Sequence, residues 1–395
     1  MQIGARLATA GVKILLVNHL LDPVVGGGTA ERTLQLARFL KREGAECTLL
    51  GLDIGGLNAV QHLASRYEVR VSTVPCINHR FFLPWLTPWR LSQILREADV
   101  VLLSGHWTLL NVLFFWACRR SGTPYLFCPA GALKLFGRST VLKWIYGKLV
   151  GDTIAREAAA CIAVTEAEIV DFVNCGVATE RVVVIPNGID PDQYELHEKA
   201  LAVERFRSAH RLGEAPLILF LGRLNPIKGP DLLLEAFSQL AQTFPDVHLV
   251  LAGPNDGMLT ELEGRSVALG LIDRVHFTGY LGGVDKLAAL HTAEVLAIPS
   301  RREAMSIVVL EAGVCACPCI FTDTCGLEAL ARVGAGVMTP VSANALAAGL
   351  IGLLEAPERA REIAIKLQRI TNTEYLWQSQ ARRVLSLVAR VLHPQ

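Results

Sequence analysis

Short apolar runs alternate with amphipathic stretches along almost the whole chain. Residues 13–18, 47–52, 69–74, 100–103, 125–128, 161–164 and 182–185 are each brief and apolar, the pattern of buried strands. Helical periodicity fills intervals between them, for example at 29–43 and 153–160. A second series begins at 217–221 and continues through 248–252, 275–278, 295–298 and 319–322, with helices at 231–243, 306–314 and 343–354. Apolar strands joined by helices predict parallel sheets covered on both faces. Two such series predict an α/β protein with two Rossmann-like domains.

The joint falls between Asn187 and Pro216. Pro186-Asn187-Gly188 is a turn signal, and residues 194–214 are charged with no strand pattern. The expected organisation is an amino-terminal domain over 1–190, a linker over 191–215, and a carboxyl-terminal domain over 216–374. A last amphipathic helix within 375–395, carrying Arg382, Arg383 and Arg390, is expected to pack back on the first domain. In open parallel sheets ligands bind outside the carboxyl ends of the strands, so two such domains facing each other would form a cleft.

Composition narrows the function. The 395 residues suit two domains, and 51% hydrophobic content supports large cores. A net charge of +1 removes any global electrostatic case for nucleic acid. No basic start, apolar block and cleavage site opens the chain, and the apolar stretches 100–118 and 333–354 are broken by loop residues. The expected location is therefore cytoplasmic. Ten cysteines are expected as reduced, packing thiols. Cys315, Cys317 and Cys319 lie close together but form no Cys-x-x-Cys pair, so no metal site is expected.

Three segments carry candidate chemistry. The strand at 217–221 is followed by Gly222-Arg223-Leu224-Asn225-Pro226-Ile227-Lys228-Gly229-Pro230, which puts two cations and a helix start at one mouth. The strand at 295–298 leads into Pro299-Ser300-Arg301-Arg302-Glu303-Ala304-Met305-Ser306 and an apolar helix containing Glu311. An acid two turns into such a helix needs a hydroxyl or a cation as partner. Near the amino terminus, Gly26-Gly27-Gly28 follows the first strand and lets the backbone approach a ligand closely. Its spacing is neither Gly-x-Gly-x-x-Gly nor a phosphate loop ending in Lys-Ser/Thr. Each segment alone is also compatible with a plain solvated turn.

Taken together they resemble the retaining glycosyltransferases of family 4, the group 1 glycosyl transferases of GT-B fold. The resemblance includes the glycine segment with Glu31-Arg32, Pro186-Asn187-Gly188-Ile189-Asp190, Gly222-Arg223-Leu224 with Lys228, Phe277-Thr278-Gly279-Tyr280, Pro299-Ser300, Glu303 with Glu311, and Thr322-Asp323 before Cys325-Gly326. It implies catalytic roles for Glu303, Arg223 and Lys228, the two cations holding the diphosphate of a nucleotide sugar. It further implies ribose binding by Glu311, phosphate contacts near Ser306, Ile307 and Val308, and a base beside Tyr280 and Leu281. Gly27 and Gly28 would face the donor from the acceptor-side domain. No cofactor or metal ion is implied beyond a UDP- or GDP-linked donor.

The chain departs from the family pattern twice. Glu303-Ala304-Met305-Ser306 stands where Glu-Gly-Phe-Gly is common, which alters the donor-sugar pocket. Ala130 stands in Pro129-Ala130-Gly131 where relatives place His or Arg, leaving His106 as the acceptor-side candidate, with His19 behind it. Lys134, Arg138, Lys143 and Lys148, interleaved with aromatic residues, suggest peripheral contact with the inner face of a cytoplasmic membrane. The expected activity is metal-independent, retaining transfer to a saccharide or lipid-linked saccharide in surface polysaccharide synthesis. Open alternatives are a catalytically impaired sugar-nucleotide-binding protein, a paired-Rossmann oxidoreductase and a sugar-nucleotide epimerase.

Overall fold

The computed structural model describes residues 11–54, 57–66, 69–134 and 140–394. The chain divides into two compact units, Met1–Gly188 with Trp377–Gln395, and Ile189–Leu376.

In the first unit, strands β1 (Lys13–Val17), β2 (Glu46–Leu52), β3 (Arg70–Val74), β6 (Val100–Ser104), β7 (Tyr125–Cys128), β8 (Ala160–Ala163) and β9 (Val182–Val184) form one sheet. Their order is β3-β2-β1-β6-β7-β8-β9. Every pairing is parallel; Leu15, for example, lies opposite Thr48 on one side and Val101 on the other. A short antiparallel hairpin, β4 (Cys76–Asn78) and β5 (Leu83–Pro84), follows β3. The helices are α1 (Pro23–Arg42), α2 (Leu57–Arg66), α3 (Pro88–Arg96), α4 (Leu109–Ser121), α5 (Thr140–Tyr146), α6 (Asp152–Glu157) and α7 (Ile169–Asn174). Val17, Leu103, Phe114, Phe127 and Phe172 are fully buried in the core.

Two details differ from the sequence expectation. The first helix starts at Pro23, because Asp22 caps it by accepting a hydrogen bond from Val24 N and proline suits the first position. The triple glycine thus lies inside the helical segment, and Gly27, at φ 60° and ψ −146°, kinks it. The expected helix at 153–160 is shorter. It is the end of a run made of α5, a π turn over Gly147–Gly151, and α6.

Helix α16 (Trp377–Leu392) belongs to this unit and packs on α1. Arg382 Nε and Gln378 Nε2 donate to the buried carboxylate of Glu43 at 2.9 and 2.8 Å. Trp377 presses so closely on Gly188 that a Cβ there would sit 2.7 Å from the indole.

The second unit holds β10 (Leu217–Leu221), β11 (His248–Ala252), β12 (Val275–Gly279), β13 (Val295–Ile298), β14 (Cys319–Thr322) and β15 (Val337–Thr339). They pair in parallel in the order β12-β11-β10-β13-β14-β15. Helices α9 (Pro230–Leu240), α10 (Leu259–Ala268), α11 (Gly283–Thr292), α12 (Ile307–Val314), α13 (Glu328–Arg332), α14 (Ala343–Leu354) and α15 (Pro357–Glu374) connect and follow them. The 191–215 stretch, expected as a linker, instead carries a 3-10 turn (Pro191–Tyr194) and α8 (Lys199–Ala209), which packs on α11 with Ala202 and Phe206 buried.

Each sheet reverses its winding once, between β1 and β6 and between β10 and β13. At such a switch point the loops leaving adjacent strands diverge and open a crevice at their carboxyl ends. Gly26–Gly28 and His106 follow β1 and β6. Arg223, Lys228 and Glu303 follow β10 and β13.

Candidate active site

The loops after β10 and β13 are bound to each other before any ligand is considered. Arg301 N donates to Ile227 O at 2.7 Å, and Arg301 Nη1 donates to Pro226 O at 2.7 Å. The same guanidinium grips Asp231, at the first turn of α9, through two hydrogen bonds of 2.9 and 2.6 Å. Burial works to raise the Asp231 carboxyl, but the Arg301 contacts outweigh it and hold the group below its ordinary value. Gly229, at φ 69°, permits the close approach, since a Cβ there would lie 2.1 Å from Pro299 O.

This arrangement brings Lys228 Nζ to 3.0 Å from Glu303 Oε1. Ser300 Oγ donates to the same carboxylate oxygen at 2.6 Å, and Glu303 N donates to Thr324 O at 2.8 Å. The loop after β14 therefore braces the loop after β13 from below. Thr322 Oγ1 and Thr324 Oγ1 both donate to Ser300 O. Arg223 is more open, with Nη1 3.7 Å from Asp256 Oδ2, and Asn225 Nδ2 holds that aspartate at 2.8 Å.

Glu311 is 8% exposed on α12. Its Oε1 accepts from Tyr194 Oη at 2.7 Å and from Lys286 Nζ at 2.9 Å, so a hydroxyl and a cation together offset its burial. Sequence reasoning missed both partners. Tyr194 sits in the stretch taken for a linker, and Lys286 in α11 reads as an ordinary solvated helix lysine. The Arg301–Asp231 clamp was missed as well, although a base and an acid flanking the paired loops could have signalled it.

Ser306 occupies the N-cap of α12, as the sequence suggests, but its hydroxyl makes no capping bond. Its N–H instead donates to Cys325 O at 3.1 Å. Ile307 and Val308 open the helix, where the first N–H groups lack intrahelical acceptors. Tyr280 and Leu281 follow edge strand β12, with Tyr280 well exposed.

In the first unit, His106 lies at the carboxyl end of β6 but is 3% exposed. Its ring packs between Trp107, Phe127 and Tyr146, at centroid distances of 4.4, 5.6 and 5.4 Å. Tyr146 Oη donates to His106 O at 2.7 Å, and His106 Nδ1 is buried with no partner. Burial pushes its pKa down to about 4, so the ring is neutral near pH 7. His19 is likewise pushed down to about 4 by burial. Glu168, unmarked by the sequence, is a buried acid of this unit. Its Oε2 accepts from Val164 N at 2.9 Å, and burial lifts it to about 7 against the pull of that N–H and of Arg32. Arg32 donates to Ile185 O, Pro186 O and Asn187 Oδ1 at 2.8–2.9 Å, tying α1 to the turn at 186–188. Ala130 has φ 48°, next to Gly131 at 79°.

Lys134 and Lys148 pair with Asp171 and Asp152 at 3.8 and 3.7 Å, and Lys143 lies over the Trp107 ring. Arg138 lies outside the described residues. Among the described residues no helix is long and apolar enough to cross a membrane. Nor do three or more His, Cys, Asp or Glu side chains among them converge as a metal site.

Two family descriptions match this chain, Glycosyltransferase Family 4 over residues 26–193 and Glycosyl transferases group 1 over residues 203–369. The chain belongs to glycosyltransferase family 4. Among curated relatives of the family it is 28% identical over 253 residues to D-inositol 3-phosphate glycosyltransferase of Xylanimonas cellulosilytica, covering 62% of this chain and 60% of that one. It is also 28% identical over 215 residues to the GDP-mannose-dependent alpha-(1-6)-phosphatidylinositol monomannoside mannosyltransferase of Mycolicibacterium smegmatis, covering 52% and 55%. The matched regions thus span less than two thirds of these relatives. Among solved structures, Anabaena HepE in complex with UDP-glucose aligns over 95% of this chain and 99% of its own, with TM-score 0.78 and 22% identity. WaaG, a glycosyltransferase involved in lipopolysaccharide biosynthesis, aligns over 97% and 100%, with TM-score 0.67 and 18% identity. At these identities the likeness is one of fold, and that fold is GT-B.

Proposed function

We propose that the protein is a retaining glycosyltransferase that moves a sugar from a UDP- or GDP-sugar to a saccharide acceptor without a divalent metal ion. The observation that carries this reading is the pairing of Lys228 with Glu303 where β10 and β13 part, with Arg223 on the same loop as Lys228. When the anomeric bond breaks, negative charge grows on the departing diphosphate, and positioned cations stabilise it as it forms. Each charge-assisted contact is worth about 1.5–3 kcal/mol.

Lys228 is held in place by Glu303 until the diphosphate takes it over. The released carboxylate then faces the donor sugar, where it steadies positive charge at the ring. The N–H groups of Ile307 and Val308 add phosphate contacts, and Glu311 binds the ribose hydroxyls. Its oxygen Oε1 is occupied by Tyr194 and Lys286, which leaves Oε2 for the ligand. Tyr280 and Leu281 flank the base, and Gly27 and Gly28, carried by the first unit, are further donor-binding residues.

Relatives that act on inositol phosphate and phosphatidylinositol mannoside support a polar saccharide acceptor, including one carried on a lipid. Surface polysaccharide assembly in the cytoplasm, at the membrane face, suits such an acceptor. Thermal shift against UDP- and GDP-sugars tests the donor. Lys228→Ala and Glu311→Ala are expected to lose donor affinity, and full affinity in both by calorimetry would overturn the site. Transfer that survives in wild type and is lost in Glu303→Ala separates an enzyme from a sugar-nucleotide-binding protein without catalysis.

A further inference from the structure

The turn that follows β7 is built against local preference. Ala132 N donates to Pro129 O at 3.2 Å, and the two residues between them, Ala130 and Gly131, stand at φ 48° and 79°. A turn with both central residues left-handed suits Asn-Gly or Gly-Gly, and the Cβ of Ala130 is strained there. Such strain persists only where the surroundings hold it in place. The base of the turn is tied down, because Gly105 N donates to Cys128 O at 2.9 Å. Its tip needs another hold.

Glu168, just after β8, is placed to supply it. Its Oε2 accepts from Val164 N at 2.9 Å and its N–H donates to Thr165 O at 3.2 Å, which is ordinary behaviour for a glutamate at a helix start. A capping glutamate would otherwise stand in water, whereas Glu168 is 6% exposed. The N–H of Gly131 faces the same carboxylate, and Oε1 is buried without a hydrogen-bond partner. Among the described residues, the other charged and titratable groups that face it are Arg32 of α1, Asp171 of α7 and the Cys128 thiol of β7, which burial keeps protonated. Lys134 pairs with Asp171 at 3.8 Å. Arg32 directs its Nη1 and Nη2 at the 185–187 turn, so Glu168 feels its charge rather than a hydrogen bond.

We propose that Glu168 is a positioning residue whose ionised carboxylate holds the Pro129–Gly131 turn in the shape that transfer to the acceptor requires. The proposal deepens the glycosyl transfer reading and rests on it. Relatives place a His or Arg side chain at the position of Ala130; here the first unit presents the turn itself. Ionised, the carboxylate attracts the Gly131 N–H and is balanced by Arg32; protonated, it loses both attractions. Burying that charge is costly. With a folded pKa of about 7 against an ordinary 4.5, the folded chain binds a proton that the unfolded chain lacks, so stability falls as pH rises through this window. A carboxylate whose charge served stability would be shifted down instead.

The test is Glu168→Gln, which keeps the size and one oxygen for Val164 N but cannot ionise. Wild-type kcat is expected to rise between about pH 6 and pH 8, and the variant should lose that rise. At the upper end its kcat should be lower by at least about fivefold, with the donor KM within about twofold. Its Tm at the same pH should equal or exceed that of wild type. Adding Ala130→Gly, which removes the strained Cβ, should restore part of the lost kcat. Hydrogen exchange at residues 130–132, expressed as protection factors, reads the turn without activity. Protection should grow with pH in wild type and stay flat in Glu168→Gln. Equal protection in the two proteins at the upper pH overturns the proposal, as does a kcat–pH profile that the substitution leaves unchanged. A Tm lowered by the substitution at that pH also overturns it, and makes Glu168 a capping residue. Calorimetry with UDP and GDP reads the donor site of the second unit independently. Absent transfer and absent nucleotide binding, with the pH-dependent protection retained, would defeat the enzyme reading and leave the hold of Glu168 on the turn standing.

Discussion

Replacing Lys286 with methionine keeps the side-chain stem and removes the ammonium that lies 2.9 Å from Glu311 Oε1. Breaking a fully buried pair by deleting one partner costs about 3–5 kcal/mol, because the other charge stays uncompensated. Here the lysine side chain is 27% exposed against 11% for the glutamate, and Tyr194 still donates to the same oxygen. Both facts shrink the cost, to about 1–2 kcal/mol. For a protein of this size that lowers Tm by about 1–2.5 °C. Glu311→Gln alone leaves a lysine that turns to water, at a cost of about 0.5–1 kcal/mol. In the double variant no buried charge remains unpaired, so much of the Lys286→Met loss should return. Denaturant unfolding of wild type, both single variants and the double variant measures the coupling. Additive losses, or a Lys286→Met change below about 0.3 kcal/mol, would refute the idea that Lys286 neutralises Glu311.

Other substitutions test the frame of the same site. Gly229→Ala must place a Cβ against Pro299 O from a left-handed backbone, so a loss above about 2 kcal/mol, read by thermal melting, is expected. Arg301→Lys should keep the charge but lose the two-pronged grip on Asp231, with a destabilisation of about 1–2 kcal/mol and weaker donor binding by calorimetry. His19 and His106 titrate near 4 when folded and near 6.5 when unfolded, so the unfolded chain binds more protons between those values. Their contribution is complete above pH 6.5 and is lost as pH falls toward 4. Tm should therefore decline over that window, and His106→Phe should flatten part of the decline.

The strands of both sheets were legible because fully buried parallel strands leave uninterrupted apolar runs, as in Leu217–Leu221. The need of Glu311 for a hydroxyl or a cation was legible too, since a carboxylate in an apolar helix has few other solutions. Which hydroxyl and which cation were not. Tyr194 lies 117 residues from Glu311, in a segment whose polar composition masks a packed turn. The buried state of His106 was hidden for a related reason, as Phe127 and Tyr146 come from separate elements. At the glycine segment, Asp22 and Pro23 form a capping signal that places the helix start upstream of the three glycines. That signal is local, and a closer look at capping chemistry would have found it.

The Glu303 loop shows how a departure from a family pattern can be absorbed nearby. Where relatives often carry glycine after the glutamate, this chain has Ala304, which has less backbone freedom. The loop still makes a very close approach, but the residue without a side chain is on the other strand of the contact. Gly326, at φ 67°, lies so near that a Cβ would fall 1.9 Å from Ala304 O. Glu303 N to Thr324 O and Ser306 N to Cys325 O then fasten the two loops on either side of that point. That room is provided by Gly326, which is itself part of the family pattern, so the support does not depend on the residue after Glu303. The carboxylate itself is held by Lys228 and Ser300, neither of which depends on the residue after it. Met305, which is buried, stands where phenylalanine is common and presents a flexible side chain in place of a flat ring. The substitutions therefore leave the position of Glu303 intact and change the walls around it, which is where discrimination between donor sugars would arise.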